Sequence, residues 1–179
     1  MALTLISTHT ASASATIDIT SGIDGTYDSY EFHCVNMHPA TDAVDLQFQV
    51  NAAGASGFNE VMTTTQFEAY HNEAGTSNSL GYRAADDQAQ GTAYQSILSR
   101  ETGNDNDQSV AGVLTLYAPS STTYVKHFTA LGSGYHASDF ELSFHTAGYI
   151  NTTSAIDEIS FKFQSGNIDA GTIKMFGVS

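Results

Sequence analysis

The side chains best suited to chemistry in this chain are carboxylates, histidines and one thiol, and their spacing decides which reactions are open to it. The loop Glu101-Thr-Gly-Asn-Asp-Asn-Asp-Gln-Ser109 sets Asp105 and Asp107 two apart. Alternating carboxylates of that kind can grip calcium, a hard ion that takes six to eight oxygens. The EF-hand register fails, however. Counted from Asp105, its glycine position holds Val110 and its bidentate glutamate position holds Leu116. The loop therefore reads as a solvated turn. His9, His33, His38, His71, His127, His136 and His145 invite a zinc reading, but no two stand at His-x-x-x-His or His-Glu-x-x-His spacing.

Acid–base chemistry has two local candidates. Tyr70-His71-Asn72-Glu73 and Tyr135-His136-Ala137-Ser138-Asp139 each put a histidine near a carboxylate. Neither comes with a nucleophile or a second acid, so a surface hydrogen bond is the simpler reading. Asp86-Asp87 supplies two acids, but a glycosidase needs two at a set distance across a sugar, and adjacency in sequence does not provide that. The one cysteine, Cys34, lies in the strand-like run EFHCVNM and reads as a buried small hydrophobe. Asn151-Thr152-Thr153 has the pattern of a glycosylation sequon, which matters only in a secretory pathway. No nucleophile elbow, P-loop or dinucleotide fingerprint occurs. No catalytic, cofactor-binding or metal-ligating residue is assigned, and the expectation is a non-enzyme without cofactor.

The elements that carry these residues are strands. In AVDLQFQV, Val44, Leu46, Phe48 and Val50 take one face, with Asp45, Gln47 and Gln49 on the other. EISFKFQ sets Ile159, Phe161 and Phe163 against Glu158, Ser160, Lys162 and Gln164, and ELSFHTA sets Leu142 and Phe144 against Glu141, Ser143 and His145. Such alternation implies antiparallel strands with one face wet. ATIDIT, YEFHCVNM, EVMTTTQFEAY, AYQSILS, VLTLYA, YVKHFTAL and GTIKMFGV are further candidates, giving roughly ten strands. SGIDG, NAAGASG, NEAGTSNSLG, ETGNDNDQS, PSS, LGSG and QSGNIDAG read as turns. DDQAQGTA is expected to form one helical turn at most. An all-β sandwich or barrel with little or no helix follows. It forms one domain over residues 1–179, with residues 1–14 as a lead-in or first strand, or as an arm to a neighbouring subunit.

Composition narrows the partners. The chain has 179 residues, 19 Asp plus Glu against 5 Lys plus Arg, and a net charge of −14. Charged residues are only 13%, where about a quarter is usual. Five scattered cations cannot form a phosphate-binding surface, so no nucleic acid is expected. No apolar run approaches the roughly 20 residues of a membrane span. The start MALTLISTHTASASAT lacks the basic and apolar regions of a signal peptide, which points to synthesis in a cytoplasm. Nine Tyr and ten Phe without Trp give a weak signal for stacking on sugars.

Several segments together resemble structural proteins of tailed bacteriophages, especially marine ones. They are Ser14-Ala-Thr-Ile-Asp-Ile-Thr-Ser-Gly-Ile-Asp-Gly-Thr-Tyr-Asp28, Tyr30-Glu-Phe32, Asn36-Met-His-Pro-Ala-Thr41, Ser120-Ser-Thr-Thr-Tyr-Val-Lys-His-Phe128, Asn151-Thr-Thr-Ser-Ala155 and the ending Gly166-Asn-Ile-Asp-Ala-Gly-Thr-Ile-Lys-Met-Phe-Gly177. Many such proteins end in a Gly-Thr-Ile-Lys-Leu-Tyr-Gly-like strand, and here Met175 and Phe176 replace the Leu-Tyr. The resemblance implies a jelly-roll-like antiparallel β-sandwich in the virion and supplies no catalytic residues.

A chain of net −14 would be repelled by packaged DNA and should face outward. With no fibre shaft, heptad or collagen-like repeat, the favoured expectation is an outer capsid decoration or cement protein bound to the major capsid protein. A tail-fibre or adsorption-apparatus subunit and a carbohydrate-binding jelly roll for host recognition are the alternatives. A symmetric homo-oligomer, a trimer, is expected on the virion's outer surface after synthesis in the host cytoplasm.

Overall fold

Alternating apolar residues become strands because each strand buries one face and wets the other. The structure, a computed structural model, describes residues 2–179. In those residues thirteen strands follow one another: β1 (Leu3–Thr10), β2 (Ile17–Ile19), β3 (Ser29–Pro39), β4 (Leu46–Ala52), β5 (Met62–Asn72), β6 (Asn78–Tyr82), β7 (Ala89–Gly91), β8 (Gln95–Ser96), β9 (Val110–Tyr117), β10 (Lys126–His136), β11 (Phe140–Ile150), β12 (Ile156–Phe163) and β13 (Ile168–Val178). No helix occurs among the described residues.

Two antiparallel sheets form a sandwich. The large one runs β1-β13-β3-β9-β10-β11-β5-β6, with β7 also on β5, and the small one runs β2-β12-β4-β8. The first strand pairs with the last and the second with the penultimate. That nesting of chain ends, alternating between sheets, is a jelly-roll-like winding. Between the sheets, Phe32 meets Phe161 at 5.7 Å and Phe48 meets Phe128 at 4.9 Å between ring centroids. Such tilted and edge-on contacts suit the quadrupoles of the rings.

The C-terminal segment is a central strand. β13 lies between β1 and β3, with Ile173 and Met175 buried in the core and Phe176 on the opposite face against His33. It begins at Ile168, within the stretch expected to be a turn, and bulges around Gly171 at φ +125°. A side chain there would meet the backbone of Asn36 and Met37.

Four other expectations need correction. The strands number thirteen rather than about ten, and the NEAGTSNSLG stretch is not all turn but ends in β6; DDQAQGTA contributes β7 and stays within its limit of one helical turn by forming none. Leu131-Gly-Ser-Gly134 is not a turn but the interior of β10. Its glycines admit a crossing segment: a Cβ on Gly132 would stand 2.5 Å from Leu98 Cβ, and one on Gly134 would strike Ser99. Finally, the second face of β4 is not fully wet. Gln49 is buried there and donates to the carbonyls of Glu60, Thr92 and Ala93, because the chain between β7 and β8 folds over it.

Candidate functional site: the outer face of the large sheet

β5 decides what the large sheet shows to solvent. Its buried side carries Thr64, Gln66 and Glu68, while Phe67 on the opposite side is 46% exposed. Apolar-inward packing is reversed because the segment beneath, residues 95–101, brings polar partners. Thr64 donates to Gln95 Oε1 at 2.8 Å, Gln66 donates to the Ser96 carbonyl and to Thr146, and Arg100 Nε donates to Glu68 at 2.7 Å. Buried polar groups are tolerable when paired in this way, and of these side chains Gln66 keeps one atom, Oε1, without a partner among the described residues. Phe67 and Ala69 are thereby left outside, while Met62 at the start of the strand stays in the core.

The same face gathers exposed apolar side chains from β1, β3, β9, β10, β5 and β6, set among Thr, Ser and His. Cross-strand register aligns Lys174, His33, Val113, Leu131, His145, Phe67 and Tyr82 over seven adjacent strands. At about 4.8 Å per strand the row is about 29 Å long. Flanking rows bring Leu5 and Phe176, Leu3 and Tyr117, and Val35 and Leu80 to the same side. Of the nine exposed large hydrophobics among the described residues, eight lie on this face, Tyr124 being the exception. Leu131, midway along β10 and central in the sheet, is 59% exposed. His145 stacks on Phe67 at 4.9 Å and 20°. Formal charge on the strand positions of this face is limited to Glu31, Glu141, Asp169 and Lys174. In a chain of net −14, that is a sparsely charged surface.

At one end of the face lies an open concavity of about 490 Å³, lined by His71, Glu73, Ser133, Tyr135 and Glu141 among others. Here the two histidine–carboxylate stretches meet, since the Glu73 N–H donates to the Asp139 carbonyl. Their histidines do not meet. His71 is exposed on the outer side, whereas His136 points inward and donates to Glu101 at 2.6 Å. The Tyr135 hydroxyl donates to Glu73 at 2.8 Å. That bond, with the nearby charges of Glu73, Asp139 and Asp107, pushes the phenol up to about 12.

The remaining sequence candidates are held apart. Asp105 and Asp107 sit in a turn closed by the Gln108 N–H on the Asp105 carbonyl, and the Gln108 side chain returns to the Asp105 N–H. No cluster of three or more His, Cys, Asp or Glu with metal-binding geometry occurs among the described residues. His9 bonds Ser7, His33 donates to Glu31 at 2.7 Å, His38 donates to the Gln108 carbonyl, and His127 stands edge-on to Tyr149. Asp86 pairs with Arg83 and Asp87 accepts from Tyr82, so the adjacent acids serve different partners. Cys34 is buried, and burial pushes its thiol up to about 12, which keeps it protonated and inert. Asn151 donates to Gln90.

Sequence reasoning missed the polar layer under β5. Arg100 joins Glu68 and Glu101, Arg83 approaches Glu68 at 3.8 Å, and Asp45 accepts from Ser96 and from the Glu101 N–H. Burial pushes the Asp45 carboxyl up, against those two bonds. Burial also works to raise Glu101, but the His136 bond and the Arg100 charge outweigh it and leave that carboxyl below its ordinary range. The one available signal was the polar period-2 set Thr64, Gln66 and Glu68 in EVMTTTQFEAY. Elsewhere Lys126 is fully buried with only the Tyr124 and Thr152 carbonyls as partners, and burial lowers its pKa.

The fold and its surface define an antiparallel β-sandwich with one broad, sparsely charged sheet face that gathers eight of the nine exposed large hydrophobics among the described residues. Among known proteins no family model matches the chain, and no curated protein or solved structure matches it.

Proposed function

We propose that the protein is a non-enzymatic structural component of a bacteriophage virion, an outer decoration protein that binds the major capsid protein through the outer face of its large sheet. The observation that carries this reading is the segregation of exposed hydrophobics onto that one face. Exposed apolar patches of more than a few hundred Å² mark association surfaces on monomers. Eight strands of width about 4.8 Å, with about five outward rows each, give a plan area of roughly 1,000 Å². A specific interface buries about 800 Å² per partner. The scarcity of carboxylates lets a strongly acidic chain approach another protein there with little repulsion. The resemblance in sequence supplies the virion as the setting.

Purified protein mixed with empty capsid shells tests it. Binding should be saturable, should reach hundreds of copies per particle, and should be lost in Leu131→Glu and Phe67→Glu. Nuclease treatment of full particles should leave the protein attached. Protease protection in intact virions equal to that of internal proteins overturns the outward placement, and a few to tens of copies moves the reading to the tail.

A second reading, a carbohydrate-binding module for host recognition, has one observation behind it. The concavity beside the face combines an aromatic ring, Tyr135, with hydroxyl and carboxylate groups that suit sugar hydroxyls. Glycan-array binding that Tyr135→Ala abolishes would put that reading first.

A further inference from the structure

We propose that β1 is an assembly edge, which pairs antiparallel with β1 of a second copy of this chain across a two-fold axis and joins two large sheets into one. β1 ends the large sheet, with β13 on one side and no strand on the other among the described residues. An exposed edge offers unpaired N–H and C=O groups to other chains. Monomeric proteins blunt such edges with short strands, lysines, prolines, bulges, inward charges or covering loops. β1 has none of the residue-level devices. It reads LTLISTHT, eight residues without a charge or a proline, and Leu3 and Leu5 are each more than half exposed. It carries one bulge-like register break, between Leu5 and Ser7, and keeps continuous register over Leu3–Leu5 and Ser7–Thr10 on either side of it.

The other edge of the sheet is built differently. There β6 has five residues and β7 three, and the connection between them carries Arg83, Asp86 and Asp87. That edge is short and charged, so it cannot match the length of β1. A second β1 can. Electrostatics allow it too: along the paired stretch of β1 the charged outer-face neighbour is Lys174, opposite Thr8, while Asp169 lies on β13 beyond the end of β1 and Glu31 lies two strands inward. Pairing of identical edges is isologous and closes at two copies, whereas joining β1 to β6 would run head to tail into rings or filaments. Across the seam the two outer faces become continuous, so the capsid-binding surface proposed above would be doubled. Neither proposal depends on the other.

The mass of the full-length protein in solution, followed by analytical ultracentrifugation over a wide concentration range, tests the pairing. The wild type should sediment as a dimer. Leu3→Glu/Leu5→Glu, which places like charges at the seam on solvent-exposed positions, should weaken dimerisation at least tenfold with an unchanged circular dichroism spectrum. Amide exchange should slow in β1 as concentration rises. Leu80→Glu on β6 and Leu131→Glu at the face centre should leave the dimer intact. A monomer at every concentration overturns the inference, as does an open-ended assembly or a dimer broken by either control and not by the β1 substitutions. Shell binding lost in Leu131→Glu with the dimer intact separates the failure of one proposal from that of the other.

Discussion

The substitution Gly132→Ala probes how the two halves of this fold are locked together. Residues 97–99 cross beneath the large sheet and fill a trough made by glycines on β9 and β10. An alanine Cβ at position 132 would stand 2.5 Å from Leu98 Cβ, 2.5 Å from the Leu98 carbonyl oxygen and 2.6 Å from Leu98 Cα. Real Cβ contacts lie beyond 3.0 Å, so something must move by half an ångström or more. What must move is backbone, and Leu98 is fully buried at φ +67°, with no slack around it. Overpacking of this kind costs about 1–3 kcal/mol and more where backbone has to shift. For a chain of this size each kcal/mol lowers Tm by about 2–4 °C. Thermal unfolding should therefore drop by roughly 2–12 °C. Gly81→Ala is the matched control, because β6 leaves open space around Gly81 and its φ is not positive. It should be neutral, or stabilise by about 0.4–1 kcal/mol through the unfolded chain. Equal melting temperatures for Gly132→Ala and Gly81→Ala would show that no close crossing exists and would refute the account of the β10 glycines.

Three further outcomes are expected. Deleting Gly171–Ser179 should abolish soluble folding, because it removes buried Ile173 and Met175, worth roughly 3–6 kcal/mol, and leaves both β1 and β3 unpaired; deleting residues 1–6 should cost much less, and expressing both truncations compares them. Glu73→Gln should bring the Tyr135 phenol down from about 12 toward its ordinary 10, read by ultraviolet titration of tyrosinate, and an unchanged titration would remove the Glu73 bond as the cause. Glu101 is held below its ordinary 4.5, so its contribution to stability is complete above that pH and fades as pH falls through the lowered value; Glu101→Gln should lower Tm at pH 7 and flatten its acid decline, and parallel pH profiles for wild type and variant would contradict this.

How much of this was legible in the sequence depends on where each residue finds its partner. Phe48, Phe144 and Phe161 were assigned to the correct faces because alternation is local and their burial follows it. Leu131-Gly-Ser-Gly134 was misread because glycine in sequence signals a turn, while here its reason is the arrival of Leu98 and Ser99 from more than thirty residues away. The sequence of β1 is compatible with both arm and strand because its pairing with β13 spans nearly the whole chain. Loop closures of that length leave no local trace. The candidate site suffered most. Lys174, His33, Val113, Leu131, His145, Phe67 and Tyr82 form a row only through six strand registers, and a slip of one residue in any of them would turn that strand's contribution to the other face.

The inverted strand β5 links the interior to the proposed function. A sandwich that needed only to be stable would place Phe67 inside and Gln66 outside, since burying a paired polar group gains little over an apolar one. This chain does the opposite, and it supplies Gln95, Ser96, Arg100 and Thr146 as partners to make the opposite workable. The arrangement leaves Phe67 beside His145 and in line with Leu131 and Tyr82. Folding stability alone gives no reason to leave Phe67, Leu131 and Tyr82 exposed in a row that runs across seven strands. A partner surface laid against that row does, because each residue left outside by the inversion then becomes buried in the assembly.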